Sequence, residues 1–202
     1  MADYANLPGD ILQELLKFLS FSDYIRFSAV CLHWSEVAKK RYQSLQKQLP
    51  SLIFDANFQK LLDLLEGKIY QIEIPELYDR HCLGSSYGWL IMTDTNLNIN
   101  LLNLFSKAQV WLPRLPRDAF VIIPENRLHL LIHKAVISAD PSKSSNHIVA
   151  AYLYDSNLIF WRVGDLTWTI IGIDFGFQDI VWYNGAFYIV GSNNQVTELN
   201  LV

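Results

Sequence analysis

His81 and Cys82 form the adjacent pair that most resembles a nucleophile beside its base. Such a pair needs both side chains within hydrogen-bond reach, and neighbours on an extended strand point to opposite faces. The pair therefore reads as a packed cysteine next to a solvated histidine. The histidines at 33, 81, 129, 133 and 147 lack the clustered Cys/His spacing of zinc modules. His129 and His133 are four apart, but Leu128 to His133 reads as strand, where residues so spaced lie about 13 Å apart. Gly84-Ser85-Ser86-Tyr87-Gly88 carries glycines, yet no lysine and no helical pattern follow. It fails as a phosphate loop and reads as a turn ahead of a strand. Lys39-Lys40-Arg41 could serve nuclear import, but the solvated face of a helix is the favoured reading. The tryptophans at 89, 111, 161, 168 and 182 suit core filler or, in a groove, binding hot spots. These residue types point away from bond-making and toward binding; no catalytic residue, metal or cofactor is expected.

The chain of 202 residues is 51% hydrophobic and 18% charged, with a formal net charge of -4. That is ample material for a core and little for disorder. The acidic balance argues against a general nucleic-acid binder. No run approaches the roughly 18 apolar residues of a membrane span, and no cationic, apolar leader opens the chain. Cys31 and Cys82 are the only cysteines, which predicts free thiols in a reducing compartment, cytoplasmic and/or nuclear.

The elements change character near residue 50. Ile11, Leu12, Leu15, Leu16 and Leu19 recur at spacings of one, three and four, a helical stripe, with Pro8 suited to the first turn. Ser22 can cap a second helix from Asp23 to about Ala29. A third stripe runs through Trp34, Val37, Ala38, Tyr42, Leu45 and Leu49, closed by Pro50. Three short helices cannot bury all their apolar surface alone.

Beyond Pro50 the period becomes two. Lys68 to Ile74 alternates, and Ile99 to Leu104 does so less cleanly. Further strands are expected at Ile148 to Tyr154, Leu158 to Arg162, Trp168 to Ile171, Ile180 to Tyr183 and Ala186 to Val190. Glu66-Gly67 and Asn184-Gly185 suit tight hairpins. A weak repeat joins them: Gly88 before Trp89, and Leu102-Asn103-Leu104, recur 97 residues on as Gly185 before Ala186, and Leu199-Asn200-Leu201. Two steps of about 48 residues fit four-stranded propeller blades.

Leu7-Pro8-Gly9-Asp10-Ile11-Leu12, then Leu15-Leu16, Leu19, Asp23, Ile25-Arg26, Val30-Cys31 and Trp34, resembles the F-box motif in order and spacing. It departs at Leu32 and Ser35, where the family usually carries basic residues. The remainder resembles the plant KIB-type β-propeller. The residues that carry this are Glu66 to Tyr70, Ile74-Pro75-Glu76, Cys82 to Leu90, Leu101-Leu102-Asn103, Leu112-Pro113, Lys134 to Ser138, Gly164-Asp165, Trp168-Thr169, Asp179-Ile180 and Tyr183-Asn184-Gly185.

The resemblance implies an α+β multidomain chain: an F-box module over residues 1–49, a connecting segment and first hairpin over 50–80, and a partial propeller over 81–202, about two and a half blades and shorter than the family's domain. It implies a non-catalytic, target-recruiting subunit of an SCF ubiquitin ligase. Leu7, Pro8, Ile11, Leu12, Leu15, Val30, Cys31 and Trp34 would dock a Skp-type adaptor and, through it, a cullin, while the β-part holds an unidentified target protein. No nucleic acid and no membrane enter this reading. Two other readings compete with it. One is a truncated adaptor-binding competitor that recruits nothing; the other is an enzyme or sugar-binding propeller with incidental N-terminal helices.

Overall fold

The computed structural model describes residues 4–19, 21–44, 51–54, 60–63, 67–71, 74–104, 106–115, 132–154, 157–173, 176–192 and 194–201. The chain divides into two compact units, Met1–Tyr78 with Leu104–Lys107, and Asp79–Asn103 with Ala108–Val202.

The first unit opens with helices α1 (Gly9–Leu15), α2 (Phe21–Ser28) and α3 (Leu32–Ser44). Ser22 lies inside α2 rather than before it, because the helix starts two residues earlier than the capping pattern suggests. Leu45, Leu49 and Pro50 fall outside the described residues. Both α1 and α2 pack on α3, and the buried set Leu12, Leu16, Tyr24, Ile25, Phe27, Val37 and Ala38 makes the interior. The Tyr24 hydroxyl donates to the Ala38 carbonyl, so the one polar tip among these large side chains is satisfied. A three-stranded antiparallel sheet follows, β1 (Ser51–Phe54), β2 (Lys60–Asp63) and β3 (Lys68–Gln71). Gly67 has φ +63 at the β2–β3 turn, and Asp63 pairs with Lys68, which makes a four-residue connection where a two-residue one was expected.

The second unit holds two four-stranded sheets and a three-stranded one, each an antiparallel meander. They are β4 (Arg80–Ser86) to β7 (Gln109–Trp111), with β5 at Trp89–Asp94 and β6 at Ile99–Asn103; β8 (Ile132–Ile137) to β11 (Thr169–Gly172), with β9 at Ile148–Leu153 and β10 at Asn157–Arg162; and β12 (Phe177–Tyr183), β13 (Ala186–Gly191) and β14 (Val196–Leu199). The first strands lie side by side, β8 against both β4 and β12, and an apolar layer fills each space between sheets. This is the blade arrangement of a partial propeller.

The 97-residue repeat is exact in the backbone of the first two strands. β4 and β12 share their bounds after that shift, and so do β5 and β13. Tyr87 and Gly88 have φ 56 and 78, and Asn184 and Gly185 have φ 47 and 89. Both pairs are two-residue hairpin turns with left-handed central residues. Leu97 and Asn194 repeat the pattern at φ 61 and 62, each N–H bonding back three residues, to Asp94 and Gly191. Gly84, expected in a turn, lies within β4 instead, beside a register shift between Cys82 and Gly84; the turn is confined to Tyr87-Gly88.

Polar staples cross between sheets. The Trp89 indole N–H donates to Asp140 Oδ1 at 3.0 Å, and the same oxygen accepts from the Ser142 amide and hydroxyl. Lys134 pairs with Asp179, and Arg162 donates twice to the Leu201 carbonyl. Desolvation acts to raise the Asp140 pKa, but the Ser142 and Trp89 hydrogen bonds and the Lys143 charge outweigh it and hold the carboxyl below its ordinary 3.8. A carboxyl whose pKa is depressed on folding contributes stability above its unfolded value, and that stability is lost as pH falls through the folded one. Thermal melts should therefore show the unfolding midpoint dropping below about pH 4 more steeply for wild type than for Asp140→Asn. Parallel curves would contradict this role.

Candidate docking face on the helical module

Helix α1 sorts its apolar residues onto two stripes. Residues four apart share a face and residues one apart sit about 100° round the axis. Leu12 and Leu16 form the inner stripe, and Leu12 is 0% exposed. Ile11 (51% exposed) and Leu15 (44%) form the outer stripe, and Phe18, in the turn that follows the helix, is exposed too. Pro8 stands at the N-cap with φ -55 and ψ 141 and is exposed; its carbonyl accepts the first helical bond, from Leu12 N at 3.1 Å. A ring that needs no N–H partner can end the helix there while presenting an apolar surface.

The turn between α2 and α3 supplies the rest. Val30 is exposed, Cys31 half-buried and Leu32 85% exposed. His33 Nε2 lies 3.1 Å from the Leu7 carbonyl, which holds the start of α3 against the segment leading into α1. Val30 and Leu32 lie next to this contact in sequence. Trp34 is half-buried, its ring 4.4 Å from that of Phe27. Large apolar side chains exposed together on so small a module mark an interaction surface. The charged flanks are internally matched, Glu14 with Lys17 and Asp23 with Arg26, and exposed pairs of this kind add little stability.

Of the eight expected contacts, Pro8, Ile11, Leu15 and Val30 stand on the surface, and Leu7, Cys31 and Trp34 are half-buried. Leu12 faces inward, because the helical period places it with Leu16 and the module needs both to fill its interior. Phe18 and Leu32 were missed. The spacing 11, 15, 18 carried the first; the second was visible only as a departure from the F-box pattern.

The residues weighed for chemistry are dispersed. Cys82, expected to be packed, is exposed, and its Sγ donates to the Gly84 carbonyl at 3.4 Å. His81 pairs with Thr93 across the sheet while Cys82 pairs with Met92. His133 stacks with Tyr152 and Tyr154, ring centroids 5.3 and 5.5 Å away; His129 lies outside the described residues. Among the described residues, no group of three or more His, Cys, Asp and Glu is placed to hold a metal. Lys39 and Lys40 are exposed on α3. Trp89, Trp161 and Trp168 are buried between the first two sheets, whereas Trp111 is exposed, with the Arg80 guanidinium 4.9 Å from its ring centroid.

Comparison with known proteins matches two families along the chain, and the propeller match starts within the first compact unit. Residues 60–202 match the family described as KIB1-4 beta-propeller, and residues 5–43 match the F-box domain. The chain is 25% identical to the Arabidopsis thaliana "F-box/kelch-repeat protein At1g57790", covering 96% of this chain and 55% of that protein. It is 27% identical to "F-box protein KIB3" of the same plant, covering 93% of this chain and 46% of that protein. The chain spans about half the length of the curated relatives it matches. A solved structure containing BBS1N, bound to ARL6DN, aligns with 73% of this chain and 48% of its own at a TM-score of 0.36 and 13% identity, too distant to bear on fold or use. With one match covering the three helices and the other covering well over half of the sequence, the chain belongs to the KIB1-4 β-propeller family and carries an N-terminal F-box domain.

Proposed function

We propose that this chain is a target-recruiting subunit of an SCF ubiquitin ligase, with the helical module docked on a Skp-type adaptor, and through it a cullin, and the β-unit holding a target protein. The observation that carries the reading is the exposed apolar set Pro8, Ile11 and Leu15 on α1, with Phe18 just after it and Val30 and Leu32 exposed in the turn into α3. An apolar helical face of this sort gains stability when a partner's groove covers it. F-box proteins with propeller or kelch-type domains generally serve as SCF substrate receptors, which supports the same assignment. In this role the chain makes and breaks no bonds. The ubiquitin carrier and the target lysine react, and the chain raises their effective concentration by holding both on one scaffold. Cytoplasm and nucleus are the compartments in which it would act.

The test is co-expression with a Skp-type adaptor, followed by purification on a tag carried by the chain. A stoichiometric complex that survives high salt is expected, since burial of apolar area is not screened by ions. A chain that elutes alone, with its helical circular dichroism intact, would overturn the proposal.

A further inference from the structure

Helix α1 starts without the usual pin. A Ser, Thr, Asp or Asn at the N-cap ties its side-chain oxygen to an amide of the first turn, whereas Pro8 in that position makes no side-chain cap bond. What directs the chain into α1 must come from elsewhere in the module. The short 3-10 turn Tyr4–Asn6 rests on α3, and His33, in the first turn of α3, reaches the next residue along. Its Nε2 lies 3.1 Å from the Leu7 carbonyl oxygen, across 26 residues of sequence. A carbonyl oxygen only accepts, so Nε2 carries the proton and donates it.

This bond acts on more than Leu7. The peptide unit is planar, so the Leu7 carbonyl and the Pro8 ring nitrogen share one plane. The pyrrolidine ring locks the next torsion as well, at φ -55 here. Holding the Leu7 oxygen therefore sets the orientation of the Pro8 ring. That ring is exposed, as are Ile11 and Leu15 on the helix it opens. His33 is itself exposed and lies outside the buried set that fills the module's interior, so its bond orients a surface group and completes no core. A group held in place before contact has less freedom to lose on binding.

We infer that His33 is a positioning residue of the docking face: it holds the Leu7–Pro8 peptide plane, and with it the Pro8 ring, in the orientation that the adaptor meets. The inference rests on the reading that the helical module docks on a Skp-type adaptor. The experiment is a double-mutant cycle in the full chain, with adaptor affinity measured by calorimetric titration for wild type, His33→Ala, Pro8→Ala and the two together. His33→Ala should weaken binding roughly three- to tenfold, the scale of one hydrogen bond. In the Pro8→Ala background the same change should cost less than about twofold, because no ring is left to orient. His33→Gln, whose side-chain amide also donates to a carbonyl, should recover part of the loss. His33→Ala binding as wild type, or losing the same factor in both backgrounds, would overturn the inference and leave the docking reading standing. A wild type without affinity for the adaptor would overturn both. Circular dichroism should show all the chains equally helical; an unfolded His33→Ala would make His33 a residue of the module's stability and overturn the inference.

Discussion

Gly84→Ala should cost the β-unit about 4 kcal/mol or more, at the diagnostic end of single-substitution effects. A Cβ at this position would lie 2.1 Å from the Ala135 carbonyl oxygen, far inside van der Waals contact. The obstacle is backbone of the neighbouring first strand β8, so no side-chain rotation relieves it. The residue sits at the register shift of β4, directly against the Ala135 backbone of β8, and only hydrogen fits between them. Separating the strands would open the apolar layer that holds Trp89, Trp161 and Trp168. Tryptophan fluorescence during thermal unfolding is therefore the appropriate readout, and the midpoint should fall by many degrees. A variant melting within a degree or two of wild type would show that the two strands can part without loss.

The second prediction separates folding from docking on a single helix. Leu12→Ala should lower the stability of the helical module by about 2–5 kcal/mol, the usual cost of emptying a buried leucine site, because Leu12 is fully enclosed. Ile11→Ala with Leu15→Ala should leave the module folded, since both side chains are about half in water already. The double variant should instead lose about 2–3 kcal/mol of adaptor affinity, a fall of roughly 30- to 150-fold. Calorimetric titration with the adaptor, read beside circular dichroism melts, distinguishes the two effects. Were Ile11→Ala with Leu15→Ala to bind as wild type, the outer stripe would not be the docking face.

Much of this division of labour is legible in the sequence, and the remainder fails for identifiable reasons. Spacing places α1, yet Ile11 and Leu12 look equivalent in a string of letters. Only the packing of α1 on α3 decides which of them faces inward, and it selects Leu12. The 97-residue recurrence of Gly88 and Gly185 foretells the hairpins because left-handed turns restrict residue choice strongly. Gly84 gives no such local signal, since its requirement comes from a strand some fifty residues further along the chain.

The most direct test of the docking claim is methyl cross-saturation by nuclear magnetic resonance, with the adaptor irradiated and the chain observed. The methyl signals of Ile11, Leu15, Val30 and Leu32 should lose intensity, and those of Leu12 and Leu16 should be spared. Saturation confined to methyls of the β-unit, or absent from Ile11 and Leu15 in a formed complex, would contradict the assignment of the helical module as the adaptor's seat.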